Sequence, residues 1–145
     1  MIIEKGSQAP DFALKDQDGR TVSLDSFKGK NNVVLVFYPG DETPGCTKQL
    51  CAIRDDYSKF AEKDALAFGV NPAGMESHRK FIDNHRFPFP LLVDENSETA
   101  KAYGCDSFWM VKRTVVVIGK DGVILYLERG SPPVSEILDA IPVKP

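Results

Sequence analysis

Residues 32–39 read NVVLVFYP, a continuous apolar run that ends at a proline. Such a run predicts a β-strand buried on both faces, because a strand with one solvent-facing side would alternate apolar and polar residues. A strand of this kind belongs in the interior of a sheet that other elements cover on both sides. This segment therefore constrains the chain to a layered fold built around a central sheet.

Strands and helices alternate along the rest of the chain. The segments ALAFGVN at residues 65–71 and FPLLVD at residues 89–94 predict further strands. Two β-hairpins are predicted, one at the N-terminus over residues 11–24 and one over residues 113–130. Helices are predicted over residues 46–60, 75–85, 97–104 and 132–141, with Ser97 capping the third. This order predicts an α/β protein in which helices flank a central mixed β-sheet on both faces.

The composition narrows the class of protein. A length of 145 residues with 42% hydrophobic residues predicts one domain, residues 1–145, whose core needs no structural disulfides. The net charge of −3 gives no basis for a nucleic acid or an anionic membrane as a partner. No apolar run approaches membrane-spanning length and the N-terminus lacks a signal-peptide pattern, so we expect a cytoplasmic protein. Thiols stay reduced there, so the three cysteines suggest catalysis, metal binding or inert burial.

Cys46 lies at a predicted strand-to-helix junction, in the segment YPGDETPGCTKQLC at residues 38–51. Loops after the carboxyl ends of central strands are where α/β folds place their functional sites. The unpaired N–H groups at a helix N-terminus favour a thiolate, and a nearby cation is expected to add to that effect. The second cysteine, Cys51, is too distant for the C-x-x-C pair of a thioredoxin-type oxidoreductase. A zinc or chaperone-like role that uses Cys46, Cys51 and Cys105 is an alternative.

The segment YPGDETPGCT resembles the P-x-x-x-T-x-x-C signature of the peroxiredoxins, with Pro39, Thr43 and Cys46 at the signature positions. The C-x-x-x-x-C continuation to Cys51 is similar to the bacterioferritin comigratory protein branch, also called PrxQ. The similarity extends through QAPDFALKDQDGRTVSLDSFKGK, SHRKFIDNHRFPFPLLVDENSETAKAYG and KRTVVVIGKDG, which contains Arg113 where the family has its arginine. The resemblance implies a thioredoxin-like fold and a thiol-dependent peroxidase without a cofactor or a metal.

The resemblance also implies a role for each of these residues. Cys46 is expected to be the peroxidatic nucleophile, whose thiolate attacks hydrogen peroxide or an organic hydroperoxide and becomes a sulfenic acid. Arg113 is expected to stabilise the thiolate and to hold the peroxide. Thr43 is expected to place its hydroxyl beside the reacting oxygens, and Pro39 to shield the pocket. Backbone N–H groups in the first turn of the helix are expected to bind the developing charge.

Cys51 is expected, from the same resemblance, to resolve the Cys46 sulfenic acid through an intramolecular disulfide, as in the atypical two-cysteine type. In an ideal helix, Cα atoms five residues apart are separated by about 8.6 Å, beyond the ~7 Å limit for a disulfide. The helix must therefore unwind locally before the two sulfurs can join. A thioredoxin-like thiol donor is expected to reduce the disulfide and so to be a partner of the protein.

Other residues carry weaker signals. Cys105 has three open interpretations: an inert thiol, an intermolecular disulfide or an alternative resolving cysteine. His78 and His85 lie seven positions apart on one predicted helix without a third ligand, so no metal site is predicted. The apolar run SFWMV at residues 107–111 suggests core packing or an exposed patch beside the pocket. No cysteine-bearing tail follows the last predicted helix, and we expect a monomer or a weak homodimer.

Overall fold

The computed structural model describes residues 3–108 and 110–144. Within these residues, seven strands form one mixed sheet in the order β2-β1-β5-β4-β3-β6-β7. The strands are β1 (Ala13–Lys15), β2 (Thr21–Ser23), β3 (Asn32–Phe37), β4 (Ala65–Asn71), β5 (Leu91–Val93), β6 (Thr114–Ile118) and β7 (Ile124–Arg129). The predicted N-terminal hairpin corresponds to β1 and β2, and the second predicted hairpin to β6 and β7.

Five α-helices accompany the sheet in the described part of the chain. They are α1 (Pro44–Asp55), α2 (Tyr57–Ala61), α3 (Met75–His85), α4 (Glu98–Ala102) and α5 (Val134–Asp139). Two short 3₁₀ turns cover Leu24–Phe27 and Glu95–Ser97. None of the helices built from these residues has the length and apolar character needed to cross a membrane.

The apolar run that begins at residue 32 forms β3 at the centre of the sheet, and every residue of that strand is buried. β3 pairs in parallel with β4 and antiparallel with β6, so the sheet is mixed as predicted. In the β3–β6 ladder, Phe37 at the end of β3 lies opposite Thr114 at the start of β6. This register brings the residues just before β6 to the edge of the sheet where α1 begins.

Two apolar cores cover the two faces of the sheet. The first, which we call the α1 face, contains side chains from α1, α3 and α5, such as Leu50, Phe81 and Ile137. The second, the α4 face, contains side chains from α4 and the N-terminal segment, such as Ala100 and Phe12. Each fully buried large apolar side chain contributes about 1.5–3 kcal/mol to folding, and the sheet needs both covers because its central strands are apolar on both faces.

The helix predicted over residues 46–60 is two helices that together span residues 44–61, so its outer limits agree within two residues but its continuity was wrong. The first helix begins at Pro44 and ends at Asp55, and Asp56 leaves the helical region with φ −110° and ψ 16°. Tyr57 and Phe60 still pack against the α1 face after the break. The apolar spacing therefore continues across Asp56, and for this reason the sequence pattern does not reveal the break.

The prediction that Ser97 caps the third helix was also wrong. Ser97 has a left-handed backbone conformation and makes no side-chain capping hydrogen bond. The buried carboxylate of Asp94 accepts the N–H groups of Thr99 at 2.8 Å and Ala100 at 3.0 Å instead. The 3₁₀ turn over Glu95–Ser97 places Asp94 beneath the start of α4, so the cap comes from a residue further back in the sequence.

Candidate active site

Cys46 is the third residue of α1 and is completely buried on the α1 face. The helix begins where it does because Pro44 at its first position has a φ already suited to a helix and lacks an N–H group. The first bond that closes the helix runs from the Thr47 N–H to the Thr43 carbonyl at 2.8 Å. The N–H groups of Gly45 and Cys46 lie before that bond, so they have no partner within the helix. The sulfur therefore lies in the turn of α1 that carries unpaired donors.

Arg113 lies beside this same turn. One guanidinium nitrogen, Nη1, donates to Oε1 of Gln49 at 2.8 Å, and Gln49 lies one turn after Cys46 on α1. The other, Nη2, lies so close to Gly45 that a Cβ there would be 3.2 Å from it. A glycine at position 45 thus allows the guanidinium to approach the helix backbone. The expected cation thus lies beside the helix turn that contains Cys46, and the sequence analysis missed Gln49 as the side chain that orients it.

Thr43 and Pro39 lie in the loop between β3 and α1. The Thr43 hydroxyl donates to the Gly40 carbonyl at 3.1 Å, so its proton is engaged while its oxygen keeps lone pairs for accepting. Pro39 is half-buried and lines a cavity of about 280 Å³ with Phe108 and Met110. The groove beside Arg113, described below, is formed by other residues, so Pro39 and Arg113 line separate depressions.

Cys51 lies on the same helix as Cys46 and is half-buried, packed against the α1 face. Both thiols are free, and α1 is unbroken from one to the other. The intact helix keeps their Cα atoms beyond disulfide distance, as the spacing predicts. The structure therefore corresponds to the conformation in which the two cysteines are not joined.

The model of the AhpC/TSA family matches residues 5–127 of this chain. The chain belongs to that family. It is 48% identical over 128 residues to Peroxiredoxin Q, chloroplastic, of Triticum aestivum, an alignment that covers 86% of this chain and 58% of that protein. It is 41% identical over 133 residues to Peroxiredoxin Bcp of Bacillus subtilis (strain 168), covering 86% and 84% of the two chains. The predicted membership in the PrxQ and Bcp branch of the peroxiredoxins is thereby confirmed.

A solved structure agrees with this assignment. The crystal structure of Peroxidoxin BcpB from Mycobacterium tuberculosis superposes with a TM-score of 0.89 at 32% identity, over 96% of both chains. The predicted α/β, thioredoxin-like fold of a peroxiredoxin is confirmed by this match. The chain spans 58% of the length of the wheat relative, which is therefore the longer protein.

Cys105 in this peroxiredoxin lies on the opposite face of the sheet from Cys46 and Cys51. It is completely buried on the α4 face, and its Sγ donates to the Ala100 carbonyl at 3.5 Å. Burial raises the pKa of the Cys105 thiol to about 12. Of the three interpretations left open above, this environment fits the inert thiol. Because the sheet lies between Cys105 and the other two cysteines, the three cannot bind one zinc ion in this conformation.

A buried cluster around Asp41 is the largest feature of the loop that the sequence analysis missed. Burial acts to raise the pKa of Asp41, but hydrogen bonds from His78, Ser77 and Tyr38 outweigh it and hold the pKa below its ordinary value. Burial, together with the neighbouring Asp41, raises the pKa of Tyr38 well above its ordinary range. A signal was available in the sequence: His78 shares a helix side with apolar residues, and a buried histidine requires hydrogen-bond partners.

The two histidines considered as metal ligands have different surroundings. His78 is completely buried and belongs to the Asp41 cluster, whereas His85 is half-buried and lies 3.4 Å from a Glu42 carboxylate oxygen. No group of three or more His, Cys, Asp or Glu side chains suited to a metal ion occurs among residues 3–108 and 110–144. Both histidines therefore connect α3 to the loop before α1.

A groove of about 390 Å³ opens beside the first turn of α1. Gly45, Gln49 and Arg113 line it beside that turn, and apolar side chains of α1 and α5, including Ile53 and Ile137, form another wall. Lys48 and Ser131 also line the groove. The groove thus joins a cationic end, next to the turn that holds Cys46, to an apolar wall. A ligand with a small polar head and an apolar body has a complementary surface here.

Proposed function

We propose that this chain is a thiol-dependent peroxidase with Cys46 as its peroxidatic nucleophile. The observation that carries the proposal is the position of Cys46 in the first turn of α1, with the Arg113 guanidinium beside that turn. Helix N-terminal donors and a fixed cation both stabilise a thiolate, the form of cysteine that attacks peroxides. Family membership agrees with this class of enzyme.

In the first step, the Cys46 thiolate attacks one oxygen of the peroxide and the O–O bond breaks. The sulfur becomes a sulfenic acid, and the other oxygen leaves with the bonding electrons and takes a proton, giving water or an alcohol. Negative charge moves from sulfur to the leaving oxygen during this step. The Arg113 guanidinium and the free N–H groups of Gly45 and Cys46 are placed to stabilise that charge without rearranging.

The other loop residues have supporting roles in this proposal. The Thr43 hydroxyl gives its proton to the Gly40 carbonyl, so its oxygen can accept a hydrogen bond from the peroxide O–H. Gln49 fixes the guanidinium of Arg113 through one hydrogen bond. Pro39 carries no N–H group and so adds no competing donor at the end of β3.

In the second step, we propose that the Cys51 thiol attacks the Cys46 sulfenic acid. The S–S bond forms, the S–O bond breaks and water leaves, so the pair is oxidised without a further oxidant. The step requires local unwinding of α1, since both cysteines lie on an unbroken helix. A thioredoxin-like dithiol then reduces the disulfide by exchange, and we propose such a protein as the partner.

The groove beside Arg113 supports organic hydroperoxides as substrates in addition to hydrogen peroxide. Its apolar wall, with Ile53, Val134 and Ile137, can cover an alkyl group while the peroxide group faces Arg113. Burying each CH₂ group of a substrate contributes about 0.8 kcal/mol. Substrate preference should therefore increase with the length of a short alkyl chain.

The proposal extends to the cellular compartment and the oligomeric state of the enzyme. We propose a cytoplasmic enzyme that is a monomer or a weak homodimer, as the sequence predicts, although the wheat relative is named a chloroplastic protein. Fractionation of the source cells tests the first point. Sedimentation of the reduced and oxidised protein tests the second.

The experiment that tests the peroxidase function is stopped-flow mixing of reduced protein with hydrogen peroxide and, separately, with tert-butyl hydroperoxide. Mass analysis of the products should show a chain lighter by two hydrogens, with the cross-link mapped to Cys46 and Cys51. A reduced protein that consumes neither peroxide, or that forms its disulfide through Cys105, would contradict the proposal.

A further inference from the structure

A buried polar cluster joins the loop before α1 to helix α3 and to the sheet. Asp41 accepts hydrogen bonds from the hydroxyls of Tyr38 and Ser77, each at 2.6 Å, and one of its oxygens lies 2.7 Å from Nδ1 of His78. The side chains of His78 and Asp41 are 0% and 4% exposed. Nε2 of His78 lies 2.9 Å from the carbonyl oxygen of Leu92 in β5. The Asp41 carboxylate thus fixes the loop to α3 directly and to β5 through His78.

The acceptors in the cluster determine where its protons lie. The Leu92 carbonyl can only accept, so Nε2 of His78 carries a proton. Asp41 receives hydroxyl protons at both of its oxygens, and its pKa is held below its ordinary value by the hydrogen bonds from His78, Ser77 and Tyr38. The buried carboxylate therefore has hydrogen-bond partners from α3 and from the end of β3, as a buried polar group requires.

The residue after Asp41 has a strained backbone. Glu42 has a φ of 63°, in the left-handed region that residues other than glycine adopt at a cost. Its carboxylate accepts a hydrogen bond from Asn84 of α3 at 2.9 Å, and Thr43 follows as the residue immediately before α1. A strained conformation persists only where its surroundings hold it. The contacts of Asp41 and Glu42 with α3 supply that restraint immediately before α1.

We propose that Asp41 is a positioning residue, which holds the loop over residues 39–43 in the conformation from which α1 starts. In doing so it sets the balance between the folded first turn that reacts with peroxide and the unwound turn that the Cys46–Cys51 disulfide requires. The inference rests on the proposed function, because it assigns these two conformations to the two steps of that reaction. Asp41 does not touch the peroxide and acts through the placement of Cys46.

This role predicts opposite effects on the two steps. Loosening the loop should slow the attack on peroxide, because the turn that carries Cys46 is folded for a smaller fraction of the time. It should speed disulfide formation, because unwinding of α1 no longer works against the anchor at Asp41. A purely structural role would weaken the whole fold and would not separate the two steps in this way.

The test compares Asp41→Asn with Asp83→Asn, the same change at an exposed carboxylate of α3 that pairs with Arg79. Asparagine keeps the shape of Asp41, and its amide can donate to the Nδ1 of a neutral His78, so the variant is designed to fold. We expect its rate constant with hydrogen peroxide to fall about tenfold, the size of effect that a small misplacement at a reacting centre produces. Its rate of disulfide formation should rise by a similar factor. The Asp83→Asn variant should match the wild type in both rates.

A second variant, Ser77→Ala, removes one donor from the cluster and should produce the same two opposite changes at a smaller size. If Asp41→Asn does not fold, this variant decides the question. Unchanged rates, or a parallel fall of both rates, in the folded variants would overturn the inference. Amide exchange over residues 44–51 of the reduced protein should be faster in the variants, and this measurement needs no peroxide. It therefore still tests Asp41 if the wild-type protein proves not to react with peroxides.

Discussion

Cys46 and Cys105 are both completely buried, but they lie on opposite faces of the sheet and at opposite ends of helices. Cys46 is in the first turn of α1, where N–H groups are unpaired, and Arg113 lies beside that turn. Cys105 follows the C-terminal end of α4, where its sulfur donates to the carbonyl of Ala100. One cysteine therefore lies at the end of a helix that carries unpaired donors, and the other lies after the end of a helix where a carbonyl accepts its proton.

The comparison shows that burial does not by itself make a cysteine reactive or inert. Burial opposes ionisation, and at Cys105 it raises the pKa to about 12. What differs at Cys46 is the polarity of the helix end, whose unpaired N–H groups favour negative charge. A guanidinium lies near each cysteine, Arg113 beside the turn that contains Cys46 and Arg129 near Cys105, where burial outweighs its effect. In the proposed function, the same residue type serves catalysis on one face of the sheet and packing on the other.

The largest effect that tests this comparison is expected for Cys46→Ser, with Cys105→Ser as the matched change. Serine at position 46 should abolish peroxide reduction, because a hydroxyl is not ionised near neutral pH. Serine at position 105 should leave the rate unchanged. Stopped-flow kinetics gives both rates, and circular dichroism checks that both variants fold. A folded Cys46→Ser variant that retains near-normal turnover would remove Cys46 as the nucleophile.

The next effect concerns which cysteine resolves the sulfenic acid. A Cys51→Ser variant should react with the first equivalent of peroxide at the wild-type rate and then stop, because nothing converts the sulfenic acid to a disulfide. Excess peroxide should carry it to sulfinic acid, which mass analysis detects. Cys105→Ser should turn over normally with thioredoxin. The opposite pattern in these two variants would assign the resolving role to Cys105.

An intermediate effect is expected for Arg113→Ala, compared with Arg129→Ala. Arg129 is a suitable control because it donates to Thr114 and to the Gly104 carbonyl, next to Cys105. Loss of Arg113 should lower the rate constant with peroxide about a hundredfold and move the pH–rate profile to higher pH, as for other fixed groups that stabilise developing charge. Lysine at position 113 should restore only part of the rate, because it keeps the positive charge but lacks the fork of the guanidinium. An unchanged pH–rate profile in Arg113→Ala would contradict the assignment.

The effect that is smallest near neutral pH, where it vanishes, is on stability at high pH. The pKa of Cys105 is raised from an ordinary value of 9.0 to about 12, so the folded chain holds the thiol proton more tightly than the unfolded chain does. The stabilisation from this thiol is complete below pH 9.0 and is lost as the pH rises toward 12. The wild type should therefore lose roughly 1 kcal/mol per pH unit relative to Cys105→Ala in this range. Urea unfolding of both proteins measures this difference, and identical pH profiles would contradict the raised pKa.

Local patterns made the strands and one helix predictable. The segment ALAFGVN coincides with β4, and the helix predicted over residues 75–85 coincides with α3. The residues of the loop signature are also close in sequence, so Thr43 and Cys46 could be located before the fold was known. In each case the information lies within one turn or one strand, where spacing alone decides the structure.

Contacts between distant elements were not predictable in the same way. Asp41 looks like a solvated loop carboxylate until α3 brings Ser77 and His78 against it. Gln49 looks like an exposed helix residue until the start of β6 places Arg113 beside it. These contacts depend on how the elements pack and on the register between strands. Neither property is visible in the spacing of one segment.

The antiparallel pairing of β3 with β6 has a consequence for how such chains can change in length. Val115 and Val117 of β6 point to the α1 face, and Val116 and Ile118 point to the α4 face. Arg113, an even number of positions before the first pair, lies on the side of α1. An insertion or deletion of one residue within β6 would turn the guanidinium to the side of Cys105 while keeping the strand apolar.

The loop over residues 106–111, which precedes Arg113, is under no such constraint. Among the described residues, its ends are joined by the bridge between Asp106 and Val111 and by hydrogen bonds from Ser107 to Met110 and from Lys112 to Cys105. Its length does not set the register of β6. We therefore expect insertions and deletions accumulated during evolution to occur before Arg113 and to be absent within β6. Arg113 thus stays on the side of Cys46 as long as length changes fall in this loop and not within β6.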